Sequence, residues 1–521
     1  MSTTTHGPRL AVLMLAAAGL LAALAARTDV LFADGLRYIA QARHWEMGLW
    51  SEGLKSVDHP VYPLAIALAH ALHGGETALD WQASAQAASV ASGVLLVVPL
   101  YLVGLELFGA AVAWLTVVLF YLSPATVHVL ADVLSEGTFL VFWLGGLWAT
   151  LRFLRDGAFG WLLLVVPCSG LAYLTRPEGL LLPAALALTL LLIPLLRGAH
   201  LHWPRWWAAV GLMVLGPALL AGPFVLTRGG LATKPAVARL LGVAPRSPAD
   251  AVERSRPLEP DVPEWKLHAR GAKAVGEALA EAVTPPLLPF AAIGMASLFQ
   301  SRRQRPRVVL FLGIILGAAL AALVRLHVTG GYCTARHTFI VATLMTACAA
   351  RGLEAVLGLS WLPKRWIGAE RSRLSAGPLV WVVVLGGLAA WNAPAIATPL
   401  NRTMAGYREA ARWLAEQTEP VTPIADATGW TQFYAERPGY SFATLHEAAA
   451  DPSLRWVVAR EAHLSGPWWY CAVFRQLIGR REPVAAFPAR PQPGQSRVLV
   501  FDRTDPEREV VSWMHEAKAR K

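Results

Sequence analysis

An aspartate that follows directly on an apolar run and opens a polar, helix-compatible stretch is placed for acid–base chemistry. Asp34 stands so in "FADGLRYIAQARHWEMG" (32–48), just after "RLAVLMLAAAGLLAALAA" (9–26). As a cap it would accept the first free N–H groups of a helix. As a general base at a membrane face it would take the proton of an attacking hydroxyl or amine. "DHPVYP" (58–63) offers Asp58 as a capping acid in a proline-fixed turn, and His59 as a donor to a phosphate. "ADVLSEG" (131–137) sets Asp132 and Glu136 on one face if helical. Acids there suit a helix start, near the positive end of the dipole. Asp132 equally suits a second carboxylate beside Asp34, positioning an acceptor or holding a divalent metal. "TRPEG" (175–179) puts Arg176 between two apolar runs, where it needs an anionic partner. That partner is an acid such as Glu178, or a phosphate, which suits guanidinium geometry. "RLHVTGGYCTARH" (325–337) adds Tyr332, Arg336 and His337. Arg336 is a second phosphate candidate; its alternative is snorkelling to the interface.

The elements that must hold these groups are membrane helices. The 521 residues are 55% hydrophobic and only 16% charged, against about 25% charged in soluble proteins. The 21 Trp fit the same class, because Trp favours the membrane–water boundary. A net charge of +11 would suggest a nucleic-acid partner in a soluble protein. Here the excess sits largely in short loops between apolar runs, as the positive-inside rule expects, and no nucleic acid is implied.

Runs long enough to cross, or nearly so, are 10–26, 86–105, 110–130, 136–154, 161–175, 178–196, 206–227, 286–299, 308–325, 338–358 and 379–393. A straight crossing takes about 20 apolar residues. The run 61–72 is shorter and carries His70, so it is read as lying at the interface; were it to cross, the total would be 12. The first run resembles a signal peptide but is read as a retained anchor, since many spans follow. Basic loops at 152–156, 197–206, 301–307 and 363–373 belong on the cytoplasmic side. With 61–72 lying flat, eleven spans put all four inside, the N-terminus in the cytoplasm and the C-terminus outside. Asp34, Asp58 and His59 on the segment 27–85, and Asp132, Glu136, Arg176, Tyr332 and Arg336 between later spans, then all face one outer surface, which the long loop 228–285 shares.

Residues 1–398 therefore read as a membrane core and 399–521 as a small α/β domain outside the membrane. In the latter "GYREAARWLAEQT" has the spacing of an amphipathic helix, and "RWVVAR" and "SRVLVFD" read as buried strands. No Walker A, GxGxxG or HExxH motif and no internal repeat is present. Of the four cysteines, Cys168 and Cys348 lie in apolar runs. Cys333 and Cys471 share the outer side, which leaves a disulfide open.

The order of these motifs resembles the GT-C membrane glycosyltransferases, in particular the family 39 branch of protein O-mannosyltransferases and lipid A aminoarabinose transferases. "FADGLRYIAQA" matches their first outer loop with its aspartate, and "HPVYPLAIALAHALHG" their "HPPLYP"-like segment. "LADVLSEGTFLVFWLGGL" and "LAYLTRPEGLLLPAAL" resemble their later acid-bearing span start and helix break. "YCTARHTFIVATLMTACAARG" resembles their "RY-LP-LP" segment, with His337 in place of Tyr and without the prolines. The resemblance covers about residues 9–360. It implies a plasma (inner) membrane enzyme that takes sugar from a polyprenyl-phosphate donor, transfers it to a protein, lipid or glycan, and inverts the anomeric carbon. Asp34 would deprotonate the acceptor, and Arg176 and Arg336 would stabilise the departing phosphate. Some members use a divalent metal and others none, so the resemblance leaves the metal open.

A transporter or lipid flippase is the main competing class. Its polar groups should line a path near the midplane, on broken helices in an inverted repeat. A scaffold with a degenerate core is a third, and it would tolerate Asp34→Asn.

Overall fold

The computed structural model describes residues 6–196, 202–230, 238, 242, 262–300, 305–357, 378–442, 444–466, 469–491 and 495–504. The basic loop 363–373, the stretches 197–201 and 301–304 of two others, and much of 228–263 lie outside the described residues.

Apolar composition builds a helical membrane body. Among the described residues, eight helices are long and apolar enough to cross a membrane, or up to ten if two bent pairs each count as one span. The helices Val61–His73 and Phe159–Tyr173 are apolar but shorter. With 13 residues, Val61–His73 spans about 20 Å at 1.5 Å per residue, well under the ~30 Å hydrocarbon core. Two expected crossings are broken. The run 110–130 folds as Ala110–Tyr121 and Pro124–Ala131, bent by 72°. Pro124 has no N–H to continue the ladder, and Ser123 before it is extended at ψ 122°. The run 286–299 is the second half of a pair, Glu264–Val283 and Pro285–Gln300, bent by 93°. Thr284 at the break has a φ of 76°, ahead of two prolines. Close approach is met by small residues: a Cβ on Gly294 would overlap the carbonyl of Cys348, and one on Gly352 that of Phe290.

The first span, Gly7–Ala25, leads into three short helices, Ala33–Glu46, Trp50–Lys55 and Val61–His73. Their sequences mix apolar and charged residues, so they bury one face only: Tyr38, Ile39, Ala42 and Trp45 on the first, Tyr62 and Ile66 on the third. They pack together over the start of the next span through Trp81, Ala85 and Ala88. That span, Ala78–Phe108, has 31 residues, about 46 Å of helix, and outreaches the hydrocarbon. It begins in a capping box: Asp80 N donates to Thr77 Oγ1 (3.3 Å) and Thr77 N to Asp80 Oδ2 (3.0 Å).

The C-terminal region is a five-stranded sheet in the order β2-β1-β3-β5-β4, with β1 Ile424–Asp426, β2 Gly439–Tyr440, β3 Trp456–Arg460, β4 Ala485–Phe487 and β5 Val498–Asp502. β1, β2 and β3 run parallel; β5 is antiparallel to β3 and β4. Period-two alternation feeds two cores. Val457 and Ala459 pack with Phe474 and Leu477 of one helix, and Trp456 and Val458 with Tyr407, Ala410 and Leu414 of the other. Val30, from the segment after the first span, is fully buried in this second core, so the sheet is built onto the membrane body.

None of the four cysteines forms a disulfide. Cys333 and Cys471 therefore form no disulfide; Cys471 is buried beneath the sheet.

Candidate active site

Asp34 occupies the second position of the helix Ala33–Glu46, and it does not cap by a side-chain bond, since the residue at the N-cap is Phe32. Its carboxylate lies between two guanidiniums. Arg336 Nη1 donates to Oδ2 at 2.8 Å, and Arg37 Nη2 stands 3.1 Å from Oδ1. Arg37 also donates from Nε to Asp58 Oδ2 at 2.9 Å, and Asp58 is fully buried. Asp34, Arg37, Asp58 and Arg336 thus form one chain of alternating charge, drawn from three separated stretches. Burial alone would raise the pKa of Asp34, but the Coulomb field of Arg336, then that of Arg37, outweighs it and holds the group below the usual carboxylate range.

Arg336 sits in the 3-10 turn Ala335–Thr338 that leads into the helix Phe339–Leu357. Its guanidinium lies over the ring of Phe32, 4.6 Å from the centroid. Tyr332 and His337 stand beside it, ring centroids 5.4 Å apart. His337 Nδ1 is tied to Thr334 Oγ1 at 2.9 Å.

Arg176 is held by acids. Nη1 lies 2.8 Å from Glu136 Oε1 and Nη2 donates to Glu178 Oε1 at 2.9 Å. Glu136 is 2% exposed, so this ion pair is largely out of water. Nη1 also reaches Ser135 Oγ at 3.4 Å, and Ser135 Oγ shares a hydrogen bond with the Tyr38 hydroxyl at 3.2 Å. Tyr38 is one helical turn from Asp34, so the two networks border a common space. Arg176 and Glu136 both act electrostatically on Arg336.

Asp132 has other work. Oδ1 accepts from the backbone N–H of Phe32 (3.0 Å) and of Val133 (2.7 Å), and Oδ2 accepts from Asn401 Nδ2 (2.7 Å). Burial raises its pKa to about 6 against these stabilising bonds. It fixes the segment just before Asp34 rather than touching Asp34. His59 is buried between the rings of Tyr173 (5.1 Å) and Phe224 (5.2 Å), next in the chain to Asp58.

Among the described residues no three His, Cys, Asp or Glu side chains converge as metal ligands. Asp34 lies between two cations and Asp132 is occupied by N–H donors, so the pair does not fit a divalent metal, and no step below runs through one.

Sequence reasoning left out Arg37, Phe32 and Asn401 as site residues. The signal for Arg37 was available, because it stands three residues after Asp34 on a helix. Asn401 had none. It reaches Val30 O (3.0 Å) and Asp132 across 371 and 269 residues of chain.

Residues 58–220 match the family model of dolichyl-phosphate-mannose-protein mannosyltransferases, a stretch that holds Asp58, His59, Asp132, Glu136 and Arg176. No curated protein matches the chain. Among solved structures it is similar to the archaeal oligosaccharyltransferase AglB from Archaeoglobus fulgidus, in complex with an inhibitory peptide and a dolichol-phosphate. The identity is 13%, the TM-score 0.59, and the match covers 91% of this chain and 71% of that one. It is also similar to ArnT from Cupriavidus metallidurans in the apo state, at 15% identity and a TM-score of 0.59, covering 95% of this chain and 99% of that one. The fold is that of the GT-C membrane glycosyltransferases.

Proposed function

We infer that this chain is a membrane glycosyltransferase that moves a sugar from a polyprenyl-phosphate donor to a hydroxyl or amine acceptor, with inversion. The observation that carries the reading is the Asp34–Arg336 pair at the joined ends of two helices: one base and one phosphate ligand in contact. The family-model match and the two fold relatives support transfer of a lipid-linked sugar in general.

In the reaction, Asp34 takes the acceptor proton as the acceptor oxygen or nitrogen bonds to the anomeric carbon. The bond from that carbon to the phosphate oxygen breaks, and its electron pair leaves with the polyprenyl phosphate. Negative charge grows on that phosphate in the transition state, where Arg336 and Arg176 are placed to meet it. Arg336 serves both partners. Without donor it neutralises Asp34; with donor it turns to the phosphate, and Asp34 recovers basicity when a sugar is present to accept attack.

The sequence argues against a conduit. Asp34, Arg176 and Arg336 stand at helix ends and in turns, but the sequence holds no internal repeat, whereas a transport site is built near the midplane by broken helices of inverted repeats. Basic loops between spans favour an N-terminus in the cytoplasm and the sheet region outside, at the outer face of the plasma membrane.

The test is transfer by the purified chain in liposomes, using a panel of polyprenyl-phosphate sugars and mixed protein, lipid and glycan acceptors. Product of inverted configuration by NMR is expected. A product that retains configuration, or movement of intact donor across the bilayer without transfer, overturns the reading.

A further inference from the structure

Topology marks one further place on the molecule. β1 leads to β2 on one side, while β3, paired on the other side of β1, leads away toward β4 and β5. The chain leaves β1 and β3 in opposite directions, a switch point whose carboxyl end is the position where open α/β sheets bind ligands.

The side chains there are unusual for an interior. Register pairs Asp426, the last residue of β1, with Val458, so Arg460 stands two residues beyond at the end of β3. Among the described residues Arg460 Nη1 reaches the sulfur of Met404 at 3.3 Å, a weak acceptor, and its buried Nε has no hydrogen-bond partner. Nδ1 of His463 and Nε1 of Trp469 are likewise buried without partners. Burial, and Arg460 beside it, lower the pKa of His463 to about 4, so its ring is neutral. Its ring stacks on Phe474 at 6.0 Å and makes a T-shaped contact with Tyr470 at 5.4 Å, and Tyr470 meets Phe442 at 5.6 Å and Trp469 at 6.0 Å. Buried polar groups ordinarily find hydrogen-bond partners, so three left without one at one sheet edge call for a ligand.

The edge also points the right way. The chain leaving β1 runs straight onto the segment that carries Asp34: Trp430 Nε1 donates to Leu31 O at 2.9 Å, and the Cβ position of Gly429 is 3.7 Å from Leu36 Cδ1. Met404, beneath Arg460, follows Asn401, whose amide holds Asp132.

We propose that this edge binds a sugar ring of the acceptor and presents it toward Asp34. Aromatic faces at Tyr470 and Trp469 fit the apolar face of a pyranose, and the unpaired nitrogens of Arg460, Trp469 and His463 fit its hydroxyls, that of His463 as donor or acceptor by tautomer. The Asp426 carboxylate at the same edge opposes a phosphate. A peptide would add instead along an edge strand, β2 or β4, not across strand ends. The purpose rests on the transferase reading, but binding is measurable without transfer.

The experiment uses the full chain in lipid nanodiscs and ligand-observed NMR. The probes are disaccharides of hexose, amino-hexose and pentose, a Ser/Thr-containing peptide and inorganic phosphate. At least one disaccharide is expected to bind, with Arg460→Gln and Tyr470→Ala each weakening it by about tenfold at an unchanged unfolding midpoint. Asp34→Asn should bind it like the wild type, which separates this site from the failure or success of the base. A loss of binding only in variants with a lowered midpoint, binding equal in folded variants, no disaccharide bound, or displacement by the peptide or phosphate overturns the proposal.

Discussion

Arg336 Nη1 and Asp34 Oδ2 meet at 2.8 Å from positions 302 residues apart. One guanidinium thus neutralises the candidate base and lies over the ring of Phe32.

Arg336→Lys keeps the charge but loses the planar fork that serves two oxyanions. It should lower kcat/KM for the donor by about tenfold, and Arg336→Gln by about a hundredfold. Steady-state kinetics over donor concentration check this; a loss confined to acceptor KM would contradict it.

The pH profiles of free and loaded enzyme should differ. With Arg336 on Asp34 the carboxyl lies below its usual range, so kcat/KM for the donor, a free-enzyme quantity, should stay flat from about pH 8 down to about pH 4. Once the phosphate takes Arg336, burial is opposed by Arg37 alone and the pKa rises. The acid limb of kcat should therefore sit at higher pH than that of kcat/KM. Coincident limbs would mean Arg336 never leaves Asp34.

Asp132 and Asn401 should act as a unit that positions Phe32 and, through it, Asp34. Each alanine substitution should cost about 1–3 kcal/mol by leaving buried partners unpaired, with strong non-additivity in the double mutant. Asp132 has a folded pKa of about 6, above the ~3.9 of an unfolded chain. The folded state therefore binds the extra proton between these values, so stability should fall as pH rises from about 4 to 6 and level off above. Asn401→Ala removes a bond to the ionised form and should extend that fall to higher pH. Thermal unfolding in detergent across pH reads both.

Glu136 should matter more than Glu178. The first is 2% exposed at its side chain and the second 36%, yet both pair with Arg176. Breaking the buried pair by Glu136→Ala should cost about 3–5 kcal/mol, and Glu178→Ala about 0–1 kcal/mol, as unfolding midpoints would show.

Residue types carried much of this site. A lone aspartate after the first span and arginines at later span ends were visible because charge at membrane depth is expensive and rarely idle. The helical body followed from apolar runs. The 72° break at Ser123–Pro124 did not, because the run is apolar throughout and hydropathy is blind to a missing N–H. Arg37 was hidden among other charges until its two carboxylates were seen. The part played by Asn401 could not be read at all: its neighbours are set by how the sheet region seats on the 29–32 segment, where Arg408 Nη1 also donates to Asp29 O (3.2 Å) and Tyr434 hydroxyl accepts from Leu31 N (3.0 Å). The switch point between β1 and β3 was invisible for the same reason, since strand order is a tertiary property.

The most direct test is Asp34→Asn in a single-turnover transfer assay, with donor binding measured on the same protein. The account predicts a fall in transfer of about 10²–10⁴-fold, with donor bound at least as tightly as by the wild type, because Arg336 is released to the phosphate. Transfer at the wild-type rate, or donor affinity lost along with transfer, would contradict it.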